Sequence, residues 1–298
     1  MHPSLRFLAA AVTALLLGSG NPAAAETPPL PQESDAWHIN FIPYYWRPAT
    51  SLRLQLNGKD FTAEQPFLDE AWSFKPSVVG MAFSATRGHW SLFMEGDTLD
   101  SDYDILLEDG RPGALELQIQ RFSAGGAYVW QRPLDEGSLV SIAPWAGARY
   151  RHASLKLLDV DPQPDDASEI DFDGKRVLQD GSDHWVEPTA GIFARWEVNP
   201  HWALTLAGDV DGLAENQQSW NATAWLRFHW AQEFYISLGY RYSEFEIERG
   251  TSTEQWAAEG RAKGLLLGVE LDFDARTDSE NGVRLRGNSA PYVLDLPP

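Results

Sequence analysis

Residues Leu139–Arg151 alternate one for one between two kinds of side chain. Val140, Ile142, Pro144, Ala146, Ala148 and Tyr150 fall on one side, and Ser141, Ala143, Trp145, Gly147, Arg149 and Arg151 on the other. Successive side chains of a β-strand point to opposite faces, so this period predicts a strand with one apolar face. The pattern recurs, often with aromatic ends, over roughly 37–47, 76–86, 89–104, 114–131, 138–157, 184–198, 201–213, 218–231, 234–249 and 258–274. Such a chain has two homes for its apolar faces. A soluble sandwich turns them to a core, and a membrane barrel turns them to lipid.

The connections separate these classes. Arg87-Gly88, Pro133–Gly137, Asn199-Pro200 and Gln232-Glu233 are short, and between them lie 48–75, 105–113, 158–183, 214–217 and 250–257, mostly longer. Short periplasmic turns and longer external loops are the rule in bacterial outer-membrane barrels, and an N-terminus on the periplasmic side puts all four short turns there. In the first long loop, Leu52, Leu54 and Leu56 alternate with Arg53 and Gln55 before Asn57-Gly58, a type I′ hairpin signal. Its mixed charge favours an ordered flap above the membrane. As a wall hairpin it would make twelve strands, and the expected count is about ten, with eight or twelve left open.

The expected lipid faces are consistent. Val79, Met81, Phe83 and Ala85 form one, and Trp202, Leu204, Leu206, Gly208 and Val210 another. Trp220, Ala222, Ala224, Leu226, Phe228 and Trp230 form a third, with Trp at both ends and small or aliphatic residues between, as in an aromatic girdle. Phe234, Ile236, Leu238, Tyr240 and Tyr242, then Leu265, Leu267, Val269, Leu271 and Phe273, continue the pattern. The expected fold is an all-β, transmembrane, up-and-down antiparallel barrel in the cell outer membrane.

Met1–Ala25 reads as a secretory signal peptide, with Arg6 before an apolar run from Leu8 to Leu17 and a small-residue cleavage site at Ala23-Ala24-Ala25. Residues 26–36 read as a Pro-rich linker, 37–274 as the barrel, and 275–298 as a periplasmic or disordered tail in which Val283–Leu296 is an alternative strand. Cleavage after Ala25 leaves 22 Lys and Arg against 43 Asp and Glu, and no Cys. That balance argues against nucleic acid, and the missing thiols exclude thiolate chemistry and thiolate metal sites.

The faces opposite the lipid faces are charged. They carry Glu95, Asp97, Arg121, Arg149, Arg151, Glu187, Arg195, Asp209, Asp211, Arg227, Arg241, Glu270 and Asp272. In a narrow barrel these side chains pair across the lumen, because unpaired buried charge is expensive. The expectation is a plugged or narrowly wet interior with a charge network of Glu95, Asp97, Arg121, Arg149, Arg151, Arg195, Asp209, Asp211, Arg227 and Arg241. If the lumen conducts, replacing Arg149 and Arg151 by Ala changes conductance or ion selectivity.

The segment Trp37–Trp46, reading Trp-His-Ile-Asn-Phe-Ile-Pro-Tyr-Tyr-Trp, and the later Trp90–Asp97 resemble the first and third strands of uncharacterised, porin-like proteobacterial outer-membrane β-barrel proteins. The resemblance covers roughly 37–274 and implies location and fold rather than activity. Such barrels tend to end on an aromatic residue that helps insertion, the role that falls to Phe273, although 25 residues follow it. The implied partners are outer-membrane lipid, lipopolysaccharide and the barrel-assembly machinery, with the chain a monomer.

Catalytic signals are sparse. Asp183-His184 with Asp209 and Asp211 could activate water as a surface hydrolase, but no Gly-x-Ser-x-Gly accompanies them. No catalytic residue, metal site or cofactor is assigned. The acidic loop 158–183 reads as a solvated external loop. The expected function is therefore a structural, narrow passive-permeation or surface-interaction role. A surface hydrolase is one alternative, and a soluble periplasmic carbohydrate-binding β-protein is a second.

Overall fold

A computed structural model describes residues 36–56, 59–65, 77–107, 110–135, 138–162, 175–212, 218–231, 233–249, 256–278 and 282–287. The expected signal peptide and most of the expected Pro-rich linker lie outside these residues. Thirteen strands follow in order: β1 (Trp37–Leu56), β2 (Lys59–Gln65), β3 (Ser77–Arg87), β4 (Trp90–Leu106), β5 (Pro112–Tyr128), β6 (Trp130–Asp135), β7 (Ser138–Asp159), β8 (Arg176–Asn199), β9 (Trp202–Asp211), β10 (Ser219–Ala231), β11 (Phe234–Arg249), β12 (Trp256–Asp278) and β13 (Gly282–Gly287).

Each wall strand pairs antiparallel with its neighbour, and β12 pairs with β1, so the sheet closes on itself. The wall has ten strands, because β6 continues β5 along β7, β2 pairs β1 above the level where β3 stops, and β13 pairs the far end of β12. β2 is thus an upward extension on β1, and Asn57-Gly58 itself lies outside the described residues. β12 also runs past residue 274, the expected end of the barrel, and Phe273 lies inside it rather than at its end. Part of the expected tail is therefore strand.

Closure fixes the geometry. Following hydrogen-bonded partners one way from Ala190 leads through Ala146, Gly126, Leu92 and Ala85 to Ile39. The other way leads through Val210, Trp220, Glu244 and Arg261 to Ser51. The two ends lie on β1, twelve residues apart (Ile39 to Ser51). Ten strands with that stagger tilt by about 40° and leave a backbone radius of about 10 Å. Arginine side chains from opposite walls are long enough to fill such a tube.

The alternation inverts along the tall strands. On β4 the outward residues are Trp90, Leu92, Met94, Gly96 and Thr98, then Asp100, Asp102 and Asp104, while the inward ones change from Glu95 and Asp97 to Leu99, Ser101, Tyr103 and Ile105. On β7 the outward face passes from Tyr150 to His152, Ser154 and Lys156, while the inward one passes from Arg149 and Arg151 to Ala153, Leu155 and Leu157. β1, β5, β11 and β12 change at the same height, whereas β8 keeps Asp183, Gly181 and Gln179 on its inward face. Below it the exterior is a continuous apolar band, with Val79 67% exposed and Leu267 56%. The band is one membrane-crossing strand tall, as over Trp220–Trp230. Trp90, Trp130, Trp196, Trp202 and Trp230 ring its short-turn end. Above it the strands leave the bilayer, so water wets the outside and the inside becomes an ordinary hydrophobic core: Trp46, Leu52, Leu54, Leu115, Leu117, Leu155, Leu157 and Leu266.

Close packing inside is set by ring-on-glycine contacts. A Cβ on Gly191 would sit 2.7 Å from the Trp145 ring, and one on Gly80 would sit 2.4 Å from that of Tyr44. At the short-turn end, Gly88 has φ 58°, as a tight β3–β4 hairpin requires.

Candidate functional site

The polar side chains of the band interior meet in one layer. Strand alternation aims Tyr44 (β1), Glu95 and Asp97 (β4), Arg121 and Ser123 (β5), Arg149 and Arg151 (β7), Glu187 (β8), Asp209 and Asp211 (β9), Asn221 (β10) and Arg241 (β11) into the tube. Arg121 grips Asp97 with two hydrogen bonds, Nε to Oδ1 at 2.8 Å and Nη2 to Oδ2 at 2.5 Å. Arg241 donates to Glu95 at 2.6 Å, and the Tyr44 hydroxyl lies 2.8 Å from Glu95 and 3.0 Å from Asp97. The Arg241 guanidinium also lies over the Tyr44 and Trp46 rings.

Asp211 holds the other half together. Its Oδ2 accepts from Arg149 and, at 2.5 Å, from Arg151. Arg149 is 2.8 Å from Asp209 and donates to Ser123 at 2.8 Å. Arg151 is 2.9 Å from Glu187. Asn221 bridges the halves, donating to Asp209 at 2.8 Å while its amide oxygen accepts from Ser243 at 2.6 Å and from Arg121 at 3.4 Å. Five carboxylates thus face four guanidiniums. Asp211 is 1% exposed, Arg151 3% and Arg149 4%. A cavity among Glu95, Arg121, Arg149, Asp209 and Arg241 holds about 10 Å³, room for about one water.

The expected network divides accordingly. Glu95, Asp97, Arg121, Arg149, Arg151, Asp209, Asp211 and Arg241 form this layer. Arg227 and Arg195 lie nearer the short-turn end, where Arg227 pairs with Glu270 and stacks 4.1 Å from the Tyr235 ring centroid, and Arg195 is 3.2 Å from Glu197. Asn40 also donates to Glu270. Beside them Phe93, Trp145 and Phe193 form an aromatic wedge inside the tube.

The hydrolase grouping is not assembled. Asp183 and His184 are successive residues of β8, so they face opposite sides. His184 points outward in register with His152, while Asp209 and Asp211 are inside, bound to Arg149. The acidic loop is also shorter than expected, since β7 reaches Asp159 and β8 starts at Arg176. Residues 163–174 of it lie outside the described residues. Asp159 is buried and bonded to Arg111 at 2.6 Å.

Sequence reasoning did not single out Tyr44, Ser123, Asn221 or Ser243, because polar residues on a lumen face look alike until closure sets their partners. The apolar interior above the layer left a clearer trace, in-phase leucines whose outward neighbours are charged.

A closed ten-stranded antiparallel barrel with a lipid-matched exterior band is an outer-membrane β-barrel, and this chain is one. No family model matches the sequence, and no curated protein matches it. Solved structures similar to it include the outer membrane protease OmpT from Escherichia coli, at 8% identity over 84% of this chain and 100% of that one, TM-score 0.41. Others are the outer membrane protein OprG from Pseudomonas aeruginosa, at 11% over 81% and 97%, TM-score 0.31, and Neisserial surface protein A, at 8% over 79% and 96%, TM-score 0.30.

Proposed function

We infer that this barrel does not conduct and that it acts at the cell exterior, as a rigid membrane anchor for its tall outer extension. The observation that carries the reading is the filled lumen. A layer of nine interlocked charges encloses a cavity with room for about one water, and a packed apolar core lies above it. A conducting pore needs a continuous wet path, and dry apolar constrictions close one by dewetting. Outer-leaflet lipopolysaccharide around the band and the barrel-assembly machinery during insertion are the partners this reading includes. The test is reconstitution of the folded protein into planar bilayers. The expected record is silent in concentrated KCl, and stepwise openings from the wild-type protein would refute it. The doubly substituted Arg149→Ala, Arg151→Ala protein loses two guanidiniums that fill the tube but should stay silent, because the packed apolar core above them still closes the path.

A further inference from the structure

His152 on β7 and His184 on β8 are direct cross-strand partners. Paired residues of an antiparallel ladder share a face and carry Cβ atoms about 4.5–5.5 Å apart. Both histidines face outward, on the wet side of the membrane boundary. Tyr150, two residues below His152, tops the apolar band on β7, and Val186, two below His184, tops it on β8. The pairing is regular through this stretch, and its register shift lies higher, between Leu157 and Leu158.

The surroundings fit an ion between the two rings. The His184 ring lies on the β7 side of its strand, where it meets Tyr150 with ring centroids 6.3 Å apart at 40°. Gln120 on β5 is in register with His152 and faces the same side. Ser154 on β7 and Ser182 on β8 stand directly above the pair. None of these side chains is charged. Farther up, Lys156 and Asp180 face each other in register, four residues from His152 and His184. Two imidazoles with an amide oxygen are the donors of a transition-metal ion, whereas Ca²⁺ and Mg²⁺ take oxygen ligands. Metal–nitrogen bonds are about 2.0–2.1 Å long. Two imidazoles on neighbouring Cβ atoms can therefore converge on one ion by side-chain rotation, without moving the ladder.

We propose that His152 and His184 chelate one divalent transition-metal ion on the outer wall of the barrel, with the Gln120 amide oxygen and water completing its shell. Cu²⁺ binds tightest, as it does at nitrogen sites generally. The ion ties β7 to β8 where the wall leaves the membrane, and its binding does not depend on whether the lumen conducts. The test is titration of the whole folded barrel with Cu²⁺ in detergent, free of any polyhistidine tag. Excess Mg²⁺ occupies the carboxylates, and electron paramagnetic resonance counts the imidazole nitrogens coupled to the metal. The tightest site of the wild-type protein shows two nitrogens. His152→Ala and His184→Ala each leave one, and each weakens binding by more than the roughly tenfold cost of removing an outer-shell partner. His201→Ala changes neither readout; it is the control because His201 and His229 are another close pair, with ring centroids 6.1 Å apart. Unchanged gel mobility of the unheated protein confirms that each variant is folded. Binding that survives loss of both His152 and His184, or that is lost with His201, overturns the proposal. So does a single coupled nitrogen in the wild-type protein, displacement of Cu²⁺ by Mg²⁺, or no binding at all.

Discussion

Asp211 is the keystone of the lumen layer, and its removal has a calculable consequence. In the Asp211→Ala protein, Arg149 keeps Asp209 at 2.8 Å and Arg151 keeps Glu187 at 2.9 Å. Both guanidiniums remain buried at 5% side-chain exposure or less, without the carboxylate they shared. Each guanidinium loses a charge-assisted hydrogen bond worth about 1.5–3 kcal/mol while keeping one carboxylate, so the two losses together cost about 3–6 kcal/mol. For a barrel of this size that lowers the midpoint of thermal unfolding by roughly 10 °C. The assay is the heat-modifiable gel shift, in which folded barrel resists SDS until heated, with urea titration in lipid vesicles as the free-energy measurement. Asp209→Ala should cost less, because Asp209 is more exposed and Arg149 keeps Asp211. Glu246→Ala, on the wet exterior, should change little. An Asp211→Ala protein within about 0.5 kcal/mol of wild type, the scatter of ordinary surface substitutions, would mean that the layer is hydrated and loose, and the sealed-lumen argument would fail with it.

Other positions report on other parts of the fold. Leu267→Arg, on the lipid face, should destabilise by about 2–4 kcal/mol near the bilayer midplane, while Ser154→Arg, above the band, should be nearly neutral; equal effects in urea titrations would misplace the membrane boundary. Gly191→Val drives a side chain into Trp145 and should cost about 1–3 kcal/mol by overpacking, seen as a lower gel-shift midpoint. Leu115→Ala, in the core outside the bilayer, should cost about 2–5 kcal/mol and speed proteolysis of the outer extension while the band stays protected. Uniform protection would show that the extension does not depend on that core.

The alternation in the sequence determined the strands, because side-chain direction in a strand is a local, two-residue property. It made Leu226, Leu238 and Leu267 outward-facing and Arg149, Arg227 and Arg241 inward-facing without any knowledge of the partners. It also carried the change at the membrane surface, from Leu265 out to Lys263 out on β12, and from Arg151 in to Leu155 in on β7. Read as one amphipathic face per strand, however, that inversion looked like a separate flap at Leu52–Leu56. Tertiary structure decided what no local pattern contains. The count of ten and the twelve-residue stagger arise only when β12 meets β1. They set the tube radius, and the radius decides which charges touch. Arg241 reaches Glu95 across 146 residues of sequence, and Arg121 reaches Asn221 across 100. Arg195 carries the same charge on the same kind of face, but it sits lower in the tube, beside Glu197. A charge on a strand knows its face from its neighbours in sequence, and its partner only from the closure of the sheet.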